Sequence, residues 1–563
     1  MASKRSLPDY ALVFAFALVV HLLVLTRFAG SPLFPPFMGE PKFYADWAEQ
    51  IAAGHWADQQ AFPGMPGYAY PLAGLFSLGA NYYAAGLLQI LCEAAIAALI
   101  FQMAAWLYPG ARGRWAGILA AVGWTFFQPA QAFSLVLTPA IWGVLAFWGL
   151  FFWSMKTESV SRWKPWLGIG AFAGLVATAV PAVLAILPLS LAAAARRLRA
   201  PAAIAAAAAS LGLGALLGTA PCWVYNRVIA KEPVWFSAQS GLNAWIGHRP
   251  QANGYPELPP EFKRAERAAI LKESVRIAQE ATGRTLTRGQ ASQFWADKAT
   301  AFLREHPGQR IVIALVKMRN FWNAARHDDL GVLQPFTEQR IVTPGLGFGI
   351  VALFALAALP FSWRRWPASR WVLGAVLLQM LALVTVYVTE SGRLLAVPGL
   401  VLLASGTVVG LAQTLASGEV RQAWKYAAAL LAATVLVFAT SNQTKSWQEI
   451  YQEGQAALQG GDLNGAYSKL DQAWRTRPGV ADPLNALGVF YQIGDKKDLS
   501  LAAFTDALKI DPDYSEALVN LGKLELAEGN TASAKARGEA ALKLEPYNTA
   551  AKEFLKTCLE KSQ

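Results

Sequence analysis

The stretch LPDYALVFAFALVVHLLVLTRF, Leu7 to Phe28, is apolar for long enough to cross a lipid bilayer as one helix. SPLFPPF (31–37) follows, and its prolines prevent that helix from continuing. MGEPKFYADWAEQIAAGHW (38–56) comes next and carries Glu40, Asp46 and Glu49. Acids gathered where the first apolar run leaves the lipid are either plain solvated groups or a site.

Working outward, the 563 residues are 55% hydrophobic and only 15% charged, where a soluble chain carries about 25% charged residues. The apolar residues fall in blocks of span length, which predicts an all-α, polytopic membrane protein. A net charge of +12 invites a nucleic-acid partner, but the basic residues sit in short clusters between apolar runs. That is a topology signal, so no nucleic acid is expected. Cys92, Cys222 and Cys558 are too scattered for a disulfide framework or a metal site. The basic MASKRS start precedes an apolar run without a good cleavage site, so the first span is expected to stay uncleaved.

The clusters KRS (4–6), ARGR (111–114), SRWK (161–164), RRLR (196–199), WRRWPASR (363–370) and VRQAWK (420–425) all fit cytoplasmic loops. About eleven spans result, near 9–28, 81–107, 115–130, 136–155, 166–180, 182–195, 201–222, 344–362, 371–388, 394–415 and 425–440. The N-terminus then lies in the cytoplasm. The loops 29–81 and 223–343, the short TESGR (389–393) and everything after about Ser441 face outward.

Beyond Ser441 the chain repeats. Pro478, Pro512 and Pro546 stand 34 residues apart, as do Gly454, Gly488 and Gly522, and Ala473, Ala507 and Ala541. Small residues let two antiparallel helices approach, and the proline ends the second. This is the tetratricopeptide spacing. Three repeats and a capping helix in TAAKEFLKTCLEKSQ (549–563) make an α-solenoid, 442–563, behind a membrane domain, 1–441. Such repeats bind peptides or proteins.

EPKFY (40–44), AEQIAAG (48–54) and PGYAYPLAGLFSLGANYYAAGLLQ (66–89) resemble the first outer loop of the GT-C glycosyltransferases, in particular the protein-mannosyltransferase and aminoarabinose-transferase-like group. Residues 113–142 and 225–255, and ESGRLLAVPGL (390–400), continue the likeness to about residue 410. Glu40 stands where the group carries a leading Asp, Tyr44 matches its Tyr, and Pro41 replaces a second acid. The resemblance implies a bacterial inner-membrane enzyme with its site on the outer, periplasmic face. It would transfer a sugar from a polyprenyl phosphate to an acceptor, while the repeats hold an acceptor or partner protein nearby. Glu40 would be the base that deprotonates the acceptor hydroxyl, with Asp46 as an alternative base or auxiliary acid. Arg393 would hold the donor phosphate; Tyr44, by its match, and Glu93, Trp245 and His248, by their place in a span or an outer loop, are candidates to line the substrate site. The residues imply no protein-only metal cage and no cofactor, leaving a divalent cation on the donor phosphate open.

Each residue also has an ordinary reading. Glu40 is placed to favour a helix N-terminus, Asp46 to pair with Lys42 at i,i+4, and Glu390 to bridge Arg393 at i,i+3. Glu93, inside a span, is a site residue or a helix–helix hydrogen bond. Trp245, in QSGLNAWIGHRPQANG (239–254), would stack on a sugar or fill a turn-rich loop, and His248 is a lone histidine. Residues 260–281 form an amphipathic pattern suited to packing on the loop or to lying at the lipid surface, and 310–326, with Lys317, Arg319 and Trp322, suit the interface. Two other functions fit the composition. One is a non-catalytic, membrane-anchored repeat scaffold for envelope assembly. The other is a transporter of lipid-linked sugars, which the lack of internal symmetry disfavours.

Overall fold

A computed structural model describes residues 8–35, 39–157, 163–198, 200–325, 327–439 and 445–561. The basic Lys4–Ser6, Met38, part of the 161–164 and 196–199 clusters, and the 441–442 boundary lie outside them. Among the described residues the architecture is helical, with one isolated parallel bridge between Phe127 and Leu346. The chain divides into two compact units. One comprises 1–257 and 278–444, the other 258–277 and 445–563.

Four helices of the first unit are long and apolar enough to cross a membrane: Asp9–Ala29, Tyr82–Leu107, Pro201–Ile229 and Glu390–Ala416. Gln128–Leu135 and Ala140–Lys156, bent by 118°, make a fifth if they count as one span. The eleven expected spans are therefore not supported. The reason is helix length. Ala111–Thr125, Lys164–Ala177, Ile186–Arg197 and Ser369–Val384 run only 12 to 16 residues, or about 18–24 Å at 1.5 Å per residue against the ~30 Å of a hydrocarbon core. Proline opens or interrupts many of these runs, as at Pro129, Pro139 and Pro181. Apolar composition persists across such breaks, but the helices do not.

Lys164–Ala177 and Pro201–Val224 pack on each other through small-residue pairs at i,i+4, Gly170 with Gly174 and Gly214 with Gly218. A Cβ at any of the four would stand 2.2 to 2.3 Å from a carbonyl oxygen of the other helix. The backbones are therefore in direct contact, as small-xxx-small pairs allow.

In the second unit, three antiparallel helix pairs follow the sequence interval: Trp447–Gln459 with Leu463–Thr476, Ala481–Ile493 with Lys497–Ile510, and Ser515–Ala527 with Thr531–Leu544. Thr549–Lys561 closes the stack. Ser446 and Glu449 form a capping box at the first helix. Ala473, Ala507 and Ala541 are fully buried, and a Cβ on Gly488 would meet the Phe504 ring at 2.4 Å. The 34-residue interval thus sets the close approach within each pair.

Gly218→Ala is expected to force the two glycine-paired helices apart and cost ~1–3 kcal/mol. Gly212→Ala, on the same helix with nothing within 4 Å of its Cβ, should not destabilise and is expected to raise stability by up to ~1 kcal/mol. Thermal melting of both variants in detergent tests the contact.

Candidate active site

The centre of the candidate site is a buried ion pair. Thr389 caps the short turn Glu390–Arg393, its hydroxyl accepting from Gly392 N at 3.0 Å, and this turn opens the apolar helix that follows. Arg393 is 2% exposed. Its Nη1 donates to Asn323 O at 2.7 Å, and its Nη2 to Ala325 O at 3.1 Å and to the Glu390 carboxylate. The guanidinium also lies 4.0 Å from the centre of the Phe348 ring. A buried cation is tolerated only with such pairing. The i,i+3 bridge is therefore present, and both terminal nitrogens of Arg393 are committed to protein.

These bonds hold 323–329 against 389–393. Glu390 N donates to His327 O at 3.1 Å, and Asp329 accepts from Ser391 N at 3.1 Å and from the Ser391 hydroxyl. Asp328 accepts from Leu330 N at 3.3 Å and Leu333 N at 2.6 Å, fixing the turn that follows. His327 stacks on Tyr255 at 4.8 Å, and burial pushes its pKa down to about 4. Burial pushes the Asp329 carboxyl up to about 6, against the opposing Ser391 hydrogen bonds, and the charge of Glu40 adds to the upward push.

Glu40 lies in the first turn of Gly39–Ala52, which Gly39 enters at φ +65°. Tyr44, one turn on, is buried edge-on against Tyr68 at 5.2 Å. Tyr68 donates to Gln89 Oε1 at 3.0 Å, and Gln89 Nε2 to Ser134 O at 2.8 Å and Val136 O at 2.9 Å. Tyr44 thus anchors the acidic helix by packing. Asp46 is ion-paired with Lys42 at i,i+4, and Glu49 accepts from Tyr82 Oη.

The remaining expected residues sit elsewhere. Glu93 is buried in the long helix Tyr82–Leu107, with His21 Nε2 at 3.9 Å, an interhelical polar contact about 16 Å along the axis from the helix start. Trp245 is buried against Trp295, ring centres 6.4 Å apart, with Lys298 Nζ 4.3 Å from its ring centre, so its faces are covered. His248 Nδ1 donates to Ala244 O at 2.9 Å, and its Nε2 accepts from Lys317 Nζ at 3.0 Å. Burial pushes Lys317 down to about 7. Among the described residues no group of three His, Cys, Asp or Glu is placed to hold a metal ion. Sequence reasoning missed Asp329, His327 and Ser391. The run His327-Asp328-Asp329 was the available signal.

No protein-family model matches the chain, and no curated protein matches it. Among solved structures it is similar to the Archaeoglobus fulgidus oligosaccharyltransferase in complex with Zn and sulfate, at 13% identity and a TM-score of 0.38. That match covers 81% of this chain and 56% of the other, so the chain spans about half the length of that protein. It is also similar to the first tetratricopeptide domain of Spaghetti (RPAP3) bound to the HSP90 peptide SRMEEVD, at 18% identity, covering 21% of this chain and 92% of that one, with a TM-score of 0.20. The Aspergillus fumigatus Sgt2 tetratricopeptide domain matches at 23% identity over 20% of this chain and 78% of its own, with a TM-score of 0.20.

Arg393→Ala is expected to cost ~3–5 kcal/mol by leaving Glu390 buried and unpaired, with Arg393→Lys between the two. Thermal melting would show the order. The Asp329 pKa is raised from 3.8 to about 6, so its contribution to stability is fully present below about pH 4 and is lost as pH rises through about 6. Asp329→Asn should flatten the fall in melting temperature across that window. An unchanged pH profile would contradict the assignment.

Proposed function

We propose that this chain is a membrane glycosyltransferase that moves a sugar from a polyprenyl-phosphate donor to an acceptor hydroxyl at the outer face of the bacterial inner membrane. The observation that carries the reading is Asp329, held by Ser391 at the start of an apolar helix of span length, with the charge of Glu40 adding to the upward push on its carboxyl. A donor with a polyprenyl tail stays in the lipid and presents its sugar at that boundary.

In this reading Glu40 accepts the proton of the acceptor hydroxyl as the oxygen attacks the anomeric carbon. The bond from that carbon to the phosphate oxygen breaks, and the polyprenyl phosphate leaves with the electron pair. Asp329 shares the site as a second carboxylate whose raised pKa suits proton transfer near neutral pH. Arg393 serves as a positioning residue that holds 323–329 against the 389–393 turn, in place of the phosphate ligand first expected. Asp46, already paired with Lys42, supports the acidic helix. The repeats supply a protein- or peptide-binding module.

A second reading, the non-catalytic scaffold, draws on Pro41 in place of the second acid and on the commitment of both Arg393 terminal nitrogens. Purified wild type and Glu40→Gln, matched for melting temperature, would be assayed with radiolabelled polyprenyl-phosphate sugars and an envelope extract as acceptor. Transfer by wild type with a loss of about a hundredfold or more in the variant supports the base. Equal rates in both remove Glu40 from the chemistry. No transfer by wild type across the panel favours the scaffold.

A further inference from the structure

The repeat unit contains a piece of chain from far outside the repeats. Leu258–Ile277, LPPEFKRAERAAILKESVRI, lies within the second outer loop of the sequence yet belongs to the same compact unit as 445–563. Its contacts follow the repeat. Residues 477, 511 and 545, each 34 apart, stand immediately before Pro478, Pro512 and Pro546, and each binds the segment. Arg477 donates to Leu258 O at 3.0 Å, Pro259 O at 2.6 Å and Phe262 O at 2.9 Å. Asp511 accepts from Arg264 at 3.1 Å, and Glu545 accepts from Lys272 at 3.1 Å. The segment therefore runs along the inter-repeat turns in chain order, its start at the first turn and its end at the third.

Arg264 is the deepest of these contacts. Its side chain is 9% exposed, its Nε lies 3.3 Å from Asp482 Oδ1, and its guanidinium is stacked 3.4 Å from the Tyr514 ring centre. The other Asp482 oxygen accepts from Ala265 N at 2.8 Å. Backbone pairing continues the fit, with Ala481 N donating to Lys263 O at 2.9 Å. The segment is also internally shaped for the site, since Glu273 accepts from the backbone N–H of Lys263 and Arg264 and turns the chain into its helix. A surface made for solvent would not enclose an arginine between two carboxylates and a phenol ring.

We propose that the inter-repeat edge is a peptide-recognition site whose resident ligand is Leu258–Ile277 of this same chain, so that the repeats anchor the second outer loop in cis. The ligand class is a basic peptide with a Pro-Pro turn, an arginine for the Asp482–Asp511 pocket and a helix carrying a lysine eight residues later. Foreign acceptor proteins would then have to use another face of the repeats or displace the segment. This inference is independent of the glycosyltransferase reading.

The test uses the full chain in detergent with a protease site inserted between Ala439 and Lys445. After cleavage, the repeats are expected to remain bound to the membrane part during size-exclusion chromatography. An excess of synthetic peptide 258–277 should release them, and the same peptide with Arg264→Glu should not. Arg264→Glu in the chain itself should raise the released fraction at least tenfold, while the released repeats melt at the wild-type temperature. That last readout separates lost docking from lost folding. The proposal is overturned if the cleaved wild type separates as readily as the variant, if the variant stays bound, or if both peptides act alike.

Discussion

A guanidinium removed from water must have its charge balanced by protein, and in the first unit that requirement falls on Arg393. Its partners are two backbone carbonyls, a carboxylate and an aromatic ring. The carbonyls belong to 323–325, the carboxylate to its own turn, and the ring to the helix Phe348–Arg365. Satisfying one cation thus brings three stretches of chain together, and the incomplete alternatives are expensive. His327 and Asp329 then meet the same turn through Glu390 N and Ser391 N. The arginine expected to hold a donor phosphate is thus bound to Glu390 and to the backbone of Asn323 and Ala325.

The same logic of burial, with a different result, governs the second unit. Its frame is built from small residues that recur every 34 positions. Charge enters at the edge, where Arg264 is enclosed by Asp482 and Asp511 at the two ends of the second helix pair. Removing one partner there leaves a charge stranded, so the contact discriminates strongly between an arginine and any neutral side chain. Such a contact contributes more to choosing the ligand than to holding the solenoid together.

Much of this was legible in the sequence, and the limits are physical. The solenoid could be read because helix-pair packing needs small residues at a fixed interval, which survives as a pattern in Gly454, Gly488 and Gly522. The Lys42–Asp46 and Glu390–Arg393 pairs could be weighed because helical geometry brings i,i+4 and i,i+3 together. The span count could not be read from apolar content, since Pro129, Pro139 and Pro181 end helices without ending the apolar run. Asp329 was missed because its meaning comes from Ser391, 62 residues on, and no local spacing encodes that meeting. Residues 258–277 did show amphipathic character, but the carboxylates that pair with Arg264 and Lys272 lie more than 200 residues away.

The three edge positions show how a repeat acquires direction. Repetition places residues 477, 511 and 545 in equivalent surroundings, so a surface with one chemistry at all three would bind a peptide equally well in several registers. The chain carries an arginine, an aspartate and a glutamate there instead. The arginine takes backbone carbonyls of a turn, while the acids take Arg264 and Lys272. Sliding the segment by one repeat would set Arg264 against Arg477 or bring the carbonyl-rich turn to Asp511, and both juxtapositions are repulsive. Reversing the segment fails for the same reason. The regular frame supplies the geometry, and breaking the regularity at one position per repeat supplies the register.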